Sequence, residues 1–392
     1  MPHNDSRLMP RPTFYEFFCG GGMARAGLGP GWDCRFANDI DVKKARAYAQ
    51  NLGAEALRIG DIHELAAADL PGCADLAWAS FPCQDLSLAG PGGGLAAKRS
   101  GAFWGFYALM AALEREGRAP NIIALENVVG ALTSKAGADF LAICGALQRL
   151  GYRFGALTID AAHFTPQSRP RLFIVAVRCS LRLPPGLIDA GPRQSFASRA
   201  LLRAHALMPP ELIDDWLWWA LPAPPRRNQA LADIVETAPA DAPWRSEQDT
   251  AALLEIFSRG ARAKLDAALS RGGRVVGAAY RRMRPDGQGG RRMQAEARFD
   301  GLAGCLRTPR GGSSRQFLLV AENGATRSRL LSAREAARLM GLPEEYKLPS
   351  RYNEAYHLVG DGVVVPVVRF LAEHLLEPLA QSAIAPALEA AE

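Results

Sequence analysis

The chain has 392 residues, of which 48% are apolar and 22% charged, with a net charge of +6 and a pI near 9.0. That is a globular composition, long enough for two domains or for one large domain with an insertion, and its mild basic excess permits a polyanionic partner without demanding one. No apolar run approaches the length of a membrane span, and the seven cysteines include no C-x-x-C pair, which argues against a zinc site or a disulfide framework.

An odd cysteine count with no signal peptide ahead of the first predicted strand leads us to expect a reducing cytoplasm. In chain order, Thr13 to Phe18 is a β-rich run ending at Cys19-Gly20-Gly21-Gly22, and Met23 to Leu28 is predicted helical. Strand, glycine loop and helix open a nucleotide-binding α/β unit. Gly20 and Gly22 match the first two glycines of G-x-G-x-x-G, but Arg25 stands in the third position. This disfavours a pyrophosphate and leaves room for a cofactor with an adenosine and no phosphates. A second strand is predicted from Asp33 to Ala37, ending at Asn38-Asp39, where a carboxylate is placed to bind ribose hydroxyls. A third short strand runs to Asp61, which is placed to meet an adenine amino group. Taken singly, Asp39 and Asp61 read as cap or turn residues; at consecutive strand ends after a glycine loop they read as a cofactor edge.

Ala74 to Ser80 is predicted to be a buried strand, and Phe81-Pro82-Cys83-Gln84 follows on a loop before Pro91-Gly92-Gly93-Gly94. A thiol there is either a buried structural cysteine or a nucleophile on a stiff turn, and this window alone does not choose. Gly101 to Glu116 is predicted helical. Asn121 to Leu125 is predicted as a strand leading into Glu126-Asn127-Val128, which puts a carboxylate on the same sheet edge as Cys83. A strand over Tyr152 to Ile159 and a hairpin partner over Leu172 to Val177 flank Gln167-Ser168-Arg169-Pro170-Arg171. Residues 181–245 are rich in Pro, Ala and Arg with little periodicity, and Trp216 to Trp219 are expected to form a local core around a short helix. Residues 259–329 carry most of the basic excess, with interleaved glycines, and read as loops suited to a phosphate backbone. Residues 328–346 are predicted helical behind a Ser332 to Glu335 cap, and a last helix is predicted from Phe370 to Leu379.

These motifs together resemble the DNA cytosine-5 methyltransferase family over most of the chain outside residues 181–300. Phe81-Pro82-Cys83-Gln84 with Ser87 and Gly90 looks like its nucleophile motif, and Phe18-x-Gly20-x-Gly22 like its S-adenosylmethionine loop. Glu126-Asn127-Val128 resembles its catalytic carboxylate motif, and Gln167-x-Arg169-x-Arg171 its paired-arginine motif. The segments Leu331 to Pro343 and Gly360 to Pro366 are similar to its last two motifs. Asp39 stands where the family usually has Glu, Asp361 where Asn is common, and Ala102 where Leu is more usual.

The resemblance implies a Rossmann-like α/β methyltransferase domain over residues 12–180 and a smaller target-recognition domain, basic and loop-rich, inserted over 181–327. Residues 328–392 would return to the first domain. It implies Cys83, Glu126, Arg169 and Arg171 as catalytic, with Cys83 adding to C6 of a flipped cytosine, Glu126 acting at N3, Arg171 polarising O2 and Arg169 holding Glu126 or a phosphate. S-adenosylmethionine would be held by Phe18, Gly20, Gly22, Asp39, Ile40, Asp61, Ile62, Pro82, Ala102, Asp361, Gly362 and Val363. Double-stranded DNA would be met by Gln84, Ser87, Gln167, Arg307, Thr308, Arg310, Ser313 and Arg315. A monomer is expected, with a cognate restriction endonuclease as the partner such an enzyme can have. The competing readings are an RNA cytosine-5 methyltransferase, a catalytically silent DNA-binding regulator on the same scaffold and an NAD-dependent enzyme. The size of the segment before the closing motifs, the intact Cys83, Glu126, Arg169 and Arg171, and Arg25 argue against them in turn.

Overall fold

The structure is a computed structural model that describes residues 10–82, 101–287, 289–307 and 315–389. Its centre is a seven-stranded sheet made of β1 (Thr13–Phe17), β2 (Asp33–Asp39), β3 (Leu57–Ile59), β4 (Leu76–Ala79), β5 (Ile122–Val128), β6 (Tyr152–Asp160) and β7 (Pro170–Arg178). The spatial order is β3-β2-β1-β4-β5-β7-β6. The first five strands in sequence are parallel, and β7 runs antiparallel to both β5 and β6. From β1 the chain builds outward to β2 and β3, and from β4 it builds the other way to β5. The boundary between β1 and β4 is therefore the topological switch point, beyond whose carboxyl ends open α/β sheets bind ligands.

Alternate residues of these strands face opposite layers, as the period of two requires. Tyr15, Phe17, Ala77, Ala79, Ile123 and Leu125 pack with α3 (Ala102–Arg115) and α4 (Ala138–Arg149). Phe14, Leu76, Trp78, Ile122 and Ala124 pack in the other layer with α1 (Met23–Leu28) and with residues from the C-terminal end of the chain. The helix α2 (Val42–Leu52) follows β2 and is capped by Asp41, whose carboxylate accepts from the amides of Lys43 and Lys44. Phe103, Phe106, Leu109, Met110 and Leu113 form the buried face of α3, as their spacing predicts.

Past residue 180 the chain first packs against the outer edge of β6. The Phe154 amide donates to the Asp215 carbonyl at 2.9 Å, and the Leu217 amide donates to the Phe154 carbonyl at 2.7 Å. Trp216 stacks edge-on between Phe140 and Phe154, and a two-stranded ladder joins β8 (Ile188–Asp189) to β9 (Trp218–Trp219). Helices α5 (Arg199–Ala206) and α6 (Pro210–Ile213) lie between them. The tryptophans are thus core, but they extend the large sheet's core and do not centre a separate one.

Among the described residues of 259–329, most are in regular structure and not in loops. After α7 (Glu247–Glu255), the helix α8 (Arg259–Ser270) packs on an antiparallel sheet of order β11-β10-β12-β13, made of β10 (Val275–Pro285), β11 (Arg291–Arg298), β12 (Phe317–Glu322) and β13 (Ala325–Leu330). The inward residues of β10 and β11 are largely alanines, including Ala279, Ala295 and Ala297. With Arg and Gly between them, that small-residue alternation hides the strand period.

The predicted helix over 328–346 is shorter. Residues 325–330 are strand, and α9 spans Ala333–Leu339 behind the expected capping box, in which the Ser332 hydroxyl accepts from the Glu335 amide at 3.0 Å and Glu335 accepts from the Ser332 amide at 2.8 Å. Two further helices precede the predicted last one, α10 (Tyr352–Asp361) and α11 (Val365–Leu371), and after a π-turn α12 runs Glu377–Glu389. Helix α11 packs on α1, where a methyl group on Gly27 would strike Val368, and Trp32 donates to Glu377 at 3.3 Å. The end of the chain thus completes one helical layer over the first strand. Among the described residues, no helix is long and apolar enough to cross a membrane.

The contact at the β6 edge leaves no room at Gly155, where a Cβ would fall on the Leu217 carbonyl oxygen and crowd the Trp219 ring. Gly155→Ala is therefore expected to cost about 1–3 kcal/mol as overpacking. Denaturant unfolding measures it, and an unchanged midpoint would show that residues 215–219 shift away freely.

Candidate active site at the switch point

Beyond β1 the backbone turns sharply, and Phe18, Gly20 and Gly22 have φ of 57°, 54° and 76°. Glycine reaches this region at no steric cost, whereas Phe18 holds it against strain. A Cβ on Gly20 would meet nothing within 4 Å, so the loop faces open space there. Asp39 ties this loop to the end of β2. One carboxylate oxygen accepts from the Gly20 amide at 2.7 Å and the other from the Asp41 amide at 2.8 Å. Burial pushes the Asp39 carboxyl up, against those amides and Lys44. Beside it Ile40 is 65% exposed, an apolar surface at the rim of a glycine cradle.

The neighbouring strand end supplies Asp61, whose carboxylate accepts from the His63 amide at 3.0 Å, followed by the buried Ile62. Asn38 links the two strand ends by donating to the Arg58 and Gly60 carbonyls, both at 3.1 Å. From the far end of the chain, Asp361 pairs with Lys44 at 2.7 Å. Gly362 lies so close to Met23 that a Cβ would strike its sulfur, and Val363 is buried. Four separate stretches thus enclose one corner that offers an open backbone, an apolar rim and carboxylates, a donor set that fits a nucleoside.

Glu16 lies buried beneath the cradle on β1. Its oxygens face the Arg25 amide at 3.4 Å and the Tyr48 hydroxyl at 3.5 Å. Burial pushes its carboxyl up to about 8, against the Arg25 amide and charge and the Tyr48 hydroxyl.

At the ends of β4 and β5, Phe81 is buried and its ring packs 5.4 Å from that of Phe103, in the first turn of α3. Asn127 donates to the Phe81 carbonyl at 3.4 Å. Glu126 is buried one residue earlier, with an oxygen 3.2 Å from Arg171 Nε. Burial raises the Glu126 carboxyl, while Arg171, Arg169 and a hydrogen bond from Ser80 oppose the rise. Such a group can hold a proton and hand it to a bound base.

Arg169 behaves differently from its expected role. It is 2% exposed, and its guanidinium donates to the carbonyls of Leu306 at 2.8 Å, Gly360 at 2.9 Å and Gly362 at 2.8 Å. It clamps the chain and is hydrogen-bonded neither to Glu126 nor toward an open groove. Gln167, expected at the DNA, is fully buried. Its amide donates to the Leu339 carbonyl at 2.9 Å, and its oxygen accepts from the Leu306 amide at 3.0 Å. Gln167 is a strut in the protein interior, with no face left for nucleic acid.

Arg307 is exposed, and Arg315 lies 5.3 Å over the Tyr352 ring and donates to Asn353. Cys83, Gln84, Ser87, Thr308, Arg310 and Ser313 lie outside the described residues, as does the glycine stretch 91–94. Ser80, Asn127, Lys44 and Cys305 were not singled out for the site from sequence. Ser80 and Asn127 adjoin the motif strands, which is the one signal that could have drawn attention to them.

A family model described as C-5 cytosine-specific DNA methylase matches residues 12–377. The chain belongs to that family. Among curated relatives, this methyltransferase is 26% identical over 364 residues to the Type II methyltransferase M.NlaX of Neisseria lactamica, covering 92% of this chain and 95% of that one. It is 25% identical over 366 residues to M.HhaI of Haemophilus parahaemolyticus, covering 92% and 93%. Among solved structures, the Dnmt2 methyltransferase of S. pombe shares the fold with a TM-score of 0.59 at 21% identity, covering 94% of this chain and 99% of that one. The protein is a DNA cytosine-5 methyltransferase, and DNA is its substrate.

Two outcomes follow for the methyltransferase's site. Gln167→Ala should destabilise the fold by about 1–3 kcal/mol by leaving buried groups unpaired. It should leave the salt dependence of DNA binding unchanged, where loss of a phosphate contact would flatten it; thermal melts and salt titrations read the two. Glu16 has a folded pKa above that of a free carboxyl, so its stabilising contribution is complete below about pH 4 and is lost as pH rises toward 8. Glu16→Gln should flatten that slope in denaturation midpoints measured across this window, and an unaltered slope would assign it to another group.

Proposed function

We propose that this methyltransferase moves the methyl group of S-adenosylmethionine to C5 of a cytosine in a specific duplex DNA site, through a covalent adduct of Cys83 at C6 of a flipped-out base. The observation that carries this reading is the buried Glu126–Arg171 pair, 3.2 Å apart, on the sheet edge from which Phe81-Pro82 leads into Cys83.

The cofactor fits the corner described above. Gly20 allows close backbone approach, Ile40 would cover the adenine, Asp39 would accept from ribose hydroxyls and Asp61 from the adenine amino group. Phe18, Gly22, Ile62, Pro82, Ala102, Asp361, Gly362 and Val363 would complete the enclosure. When bound, S-adenosylmethionine supplies an electrophilic methyl on a sulfonium.

Cytosine C5 is a poor nucleophile until a thiolate adds to C6 and makes it enamine-like. Cys83 would form that S–C6 bond as a thiolate; a free thiol titrates near 8.5, so neighbouring positive charge must favour the anion. Glu126, its carboxyl raised by burial, would donate a hydrogen bond or proton to N3 and draw electrons from C6. Arg171 would polarise O2. After C5 takes the methyl, a base removes the C5 proton, the S–C6 bond breaks and the Cys83 thiolate is regenerated. Arg169 would serve by holding Arg171's surroundings together and not by touching substrate.

The target atom is hidden in a duplex, so the base must leave the stack at a cost of about a few kcal/mol. Gln84 and Ser87 would contact the opened site. We assign target recognition to residues 181–327, with Arg307, Thr308, Arg310, Ser313 and Arg315 as contacts. The Type II designation of M.NlaX and M.HhaI supports pairing with a cognate restriction endonuclease, and we propose a monomer as the working unit.

Cys83→Ser should lower methyl transfer at least about 10³-fold and leave DNA affinity intact. Labelled-methyl transfer to duplex DNA, with tRNA as the comparison acceptor, measures this. Undiminished transfer by the variant would remove Cys83 as nucleophile, and preferential labelling of tRNA would change the substrate.

A further inference from the structure

Arg169 and Arg171 stand two residues apart at the start of β7, where two guanidiniums repel each other. For Arg169, burial and then the charge of Arg171 disfavour the protonated form. Its hydrogen bonds to carbonyls engage Nη1 and Nη2, leave Nε without a partner and supply no counter-charge. Among the described residues, Arg169 has one further acceptor, the sulfur of Cys305, 3.4 Å from Nη1.

The same sulfur lies 3.9 Å and 4.0 Å from Nη1 and Nη2 of Arg171, whose Nε faces Glu126 at 3.2 Å. Arg171 Nη1 also donates to the Pro170 carbonyl at 3.0 Å, so the guanidinium is held by a carboxylate at its stem and, at its fork, by that carbonyl and the sulfur. A buried cysteine in apolar surroundings is an inert packing group, but this one is set among arginines. Burial pushes the Cys305 thiol up, yet Arg169, Arg171 and Arg307 together outweigh it and leave the thiol below its ordinary range. Negative character on the sulfur would relieve the repulsion between the two arginines and stiffen the fork of Arg171.

We propose that Cys305 is a positioning residue of this enzyme, whose sulfur is the shared acceptor of Arg169 and Arg171 and fixes the Arg171 guanidinium against Glu126. The inference rests on the catalytic reading of Glu126 and Arg171 given above. It makes a residue of the inserted segment, 134 positions from Arg171, part of the alignment of the reaction centre. Docking of that segment and alignment of the arginine then become one event.

A double-mutant cycle on the full-length enzyme tests this. Cys305→Ala should lower kcat about tenfold, the size of one lost hydrogen bond to a charged group. It should change KM for DNA by less than about threefold, and Cys305→Ser, which keeps a small acceptor, should recover part of the loss. In an Arg171→Lys background, where the fork is absent, Cys305→Ala should cost nothing further in kcat. A merely structural cysteine would lower kcat by the same factor in both backgrounds and would shift the melting temperature in step; that result, or an unchanged kcat in Cys305→Ala, overturns the proposal. If the alanine variant does not fold, Cys305→Ser and Cys305→Thr carry the same cycle. An Arg171→Lys enzyme with the parent's kcat overturns the catalytic role of Arg171 and the inference with it, whereas a damaged Arg171→Lys enzyme with multiplicative effects overturns the inference alone.

Discussion

The buried guanidinium of Arg169 joins stretches of chain that are remote in sequence. It stands immediately before β7 and meets carbonyls at Leu306, between β11 and β12, and at Gly360 and Gly362 beside the glycine cradle. Burying a cation is costly, and the cost is offset only when the hydrogen bonds are complete and well made. The arginine supplies planar donors that three convergent carbonyls can use together, which a lysine ammonium could not match. Loss of that clamp would leave those carbonyls facing each other in the interior. The corner beside the glycine cradle, the start of β7 and the segment around Leu306 therefore share one joint.

The direction of β7 explains how the arginines reach the site at all. In a parallel sheet only the carboxyl ends of strands gather on the working edge. β7 is reversed, so its first residues arrive where β5 delivers its last. The register sets Arg171 opposite Val128 and Phe173 opposite Glu126. A cation is thus brought beside the Glu126 carboxylate from a strand that begins more than forty residues later in the chain. The pair is buried; in water an ion pair of this kind contributes little. Burial also raises the Glu126 carboxyl, and Arg171 and Arg169 oppose that rise.

The local features were legible because they depend on near neighbours. The glycine loop and the capping box at Ser332 and Glu335 are set by residues within a few positions of each other, and both stand where they were expected. The strands of the main sheet were visible through runs of large apolar residues such as those from Ile122 to Leu125. The strands β10 and β11 were not, because their inward positions are largely alanine and their exposed positions arginine. The composition that suggested a polyanion partner also concealed the strand pattern. A difference of another kind arose at Gln167, which the resemblance had placed at the DNA. Alternation along an extended segment puts residues i and i+2 on the same side, but it does not say whether that side meets solvent or the interior.

From the amino-acid sequence alone came the chemical inventory: a glycine turn, acidic strand ends, a proline-flanked thiol, a carboxylate and two arginines, in an order that a methyltransferase shares. Those are properties of types and spacings, which a linear text carries in full. The fold alone decided which of these groups touch. Cys305 meets Arg169 and Arg171, Gln167 is sealed inside, and Asp361 pairs with Lys44 across 317 positions. Burial and partnership are set by how distant segments pack, and no local pattern encodes the distance between two side chains whose strands meet only when the whole sheet has closed.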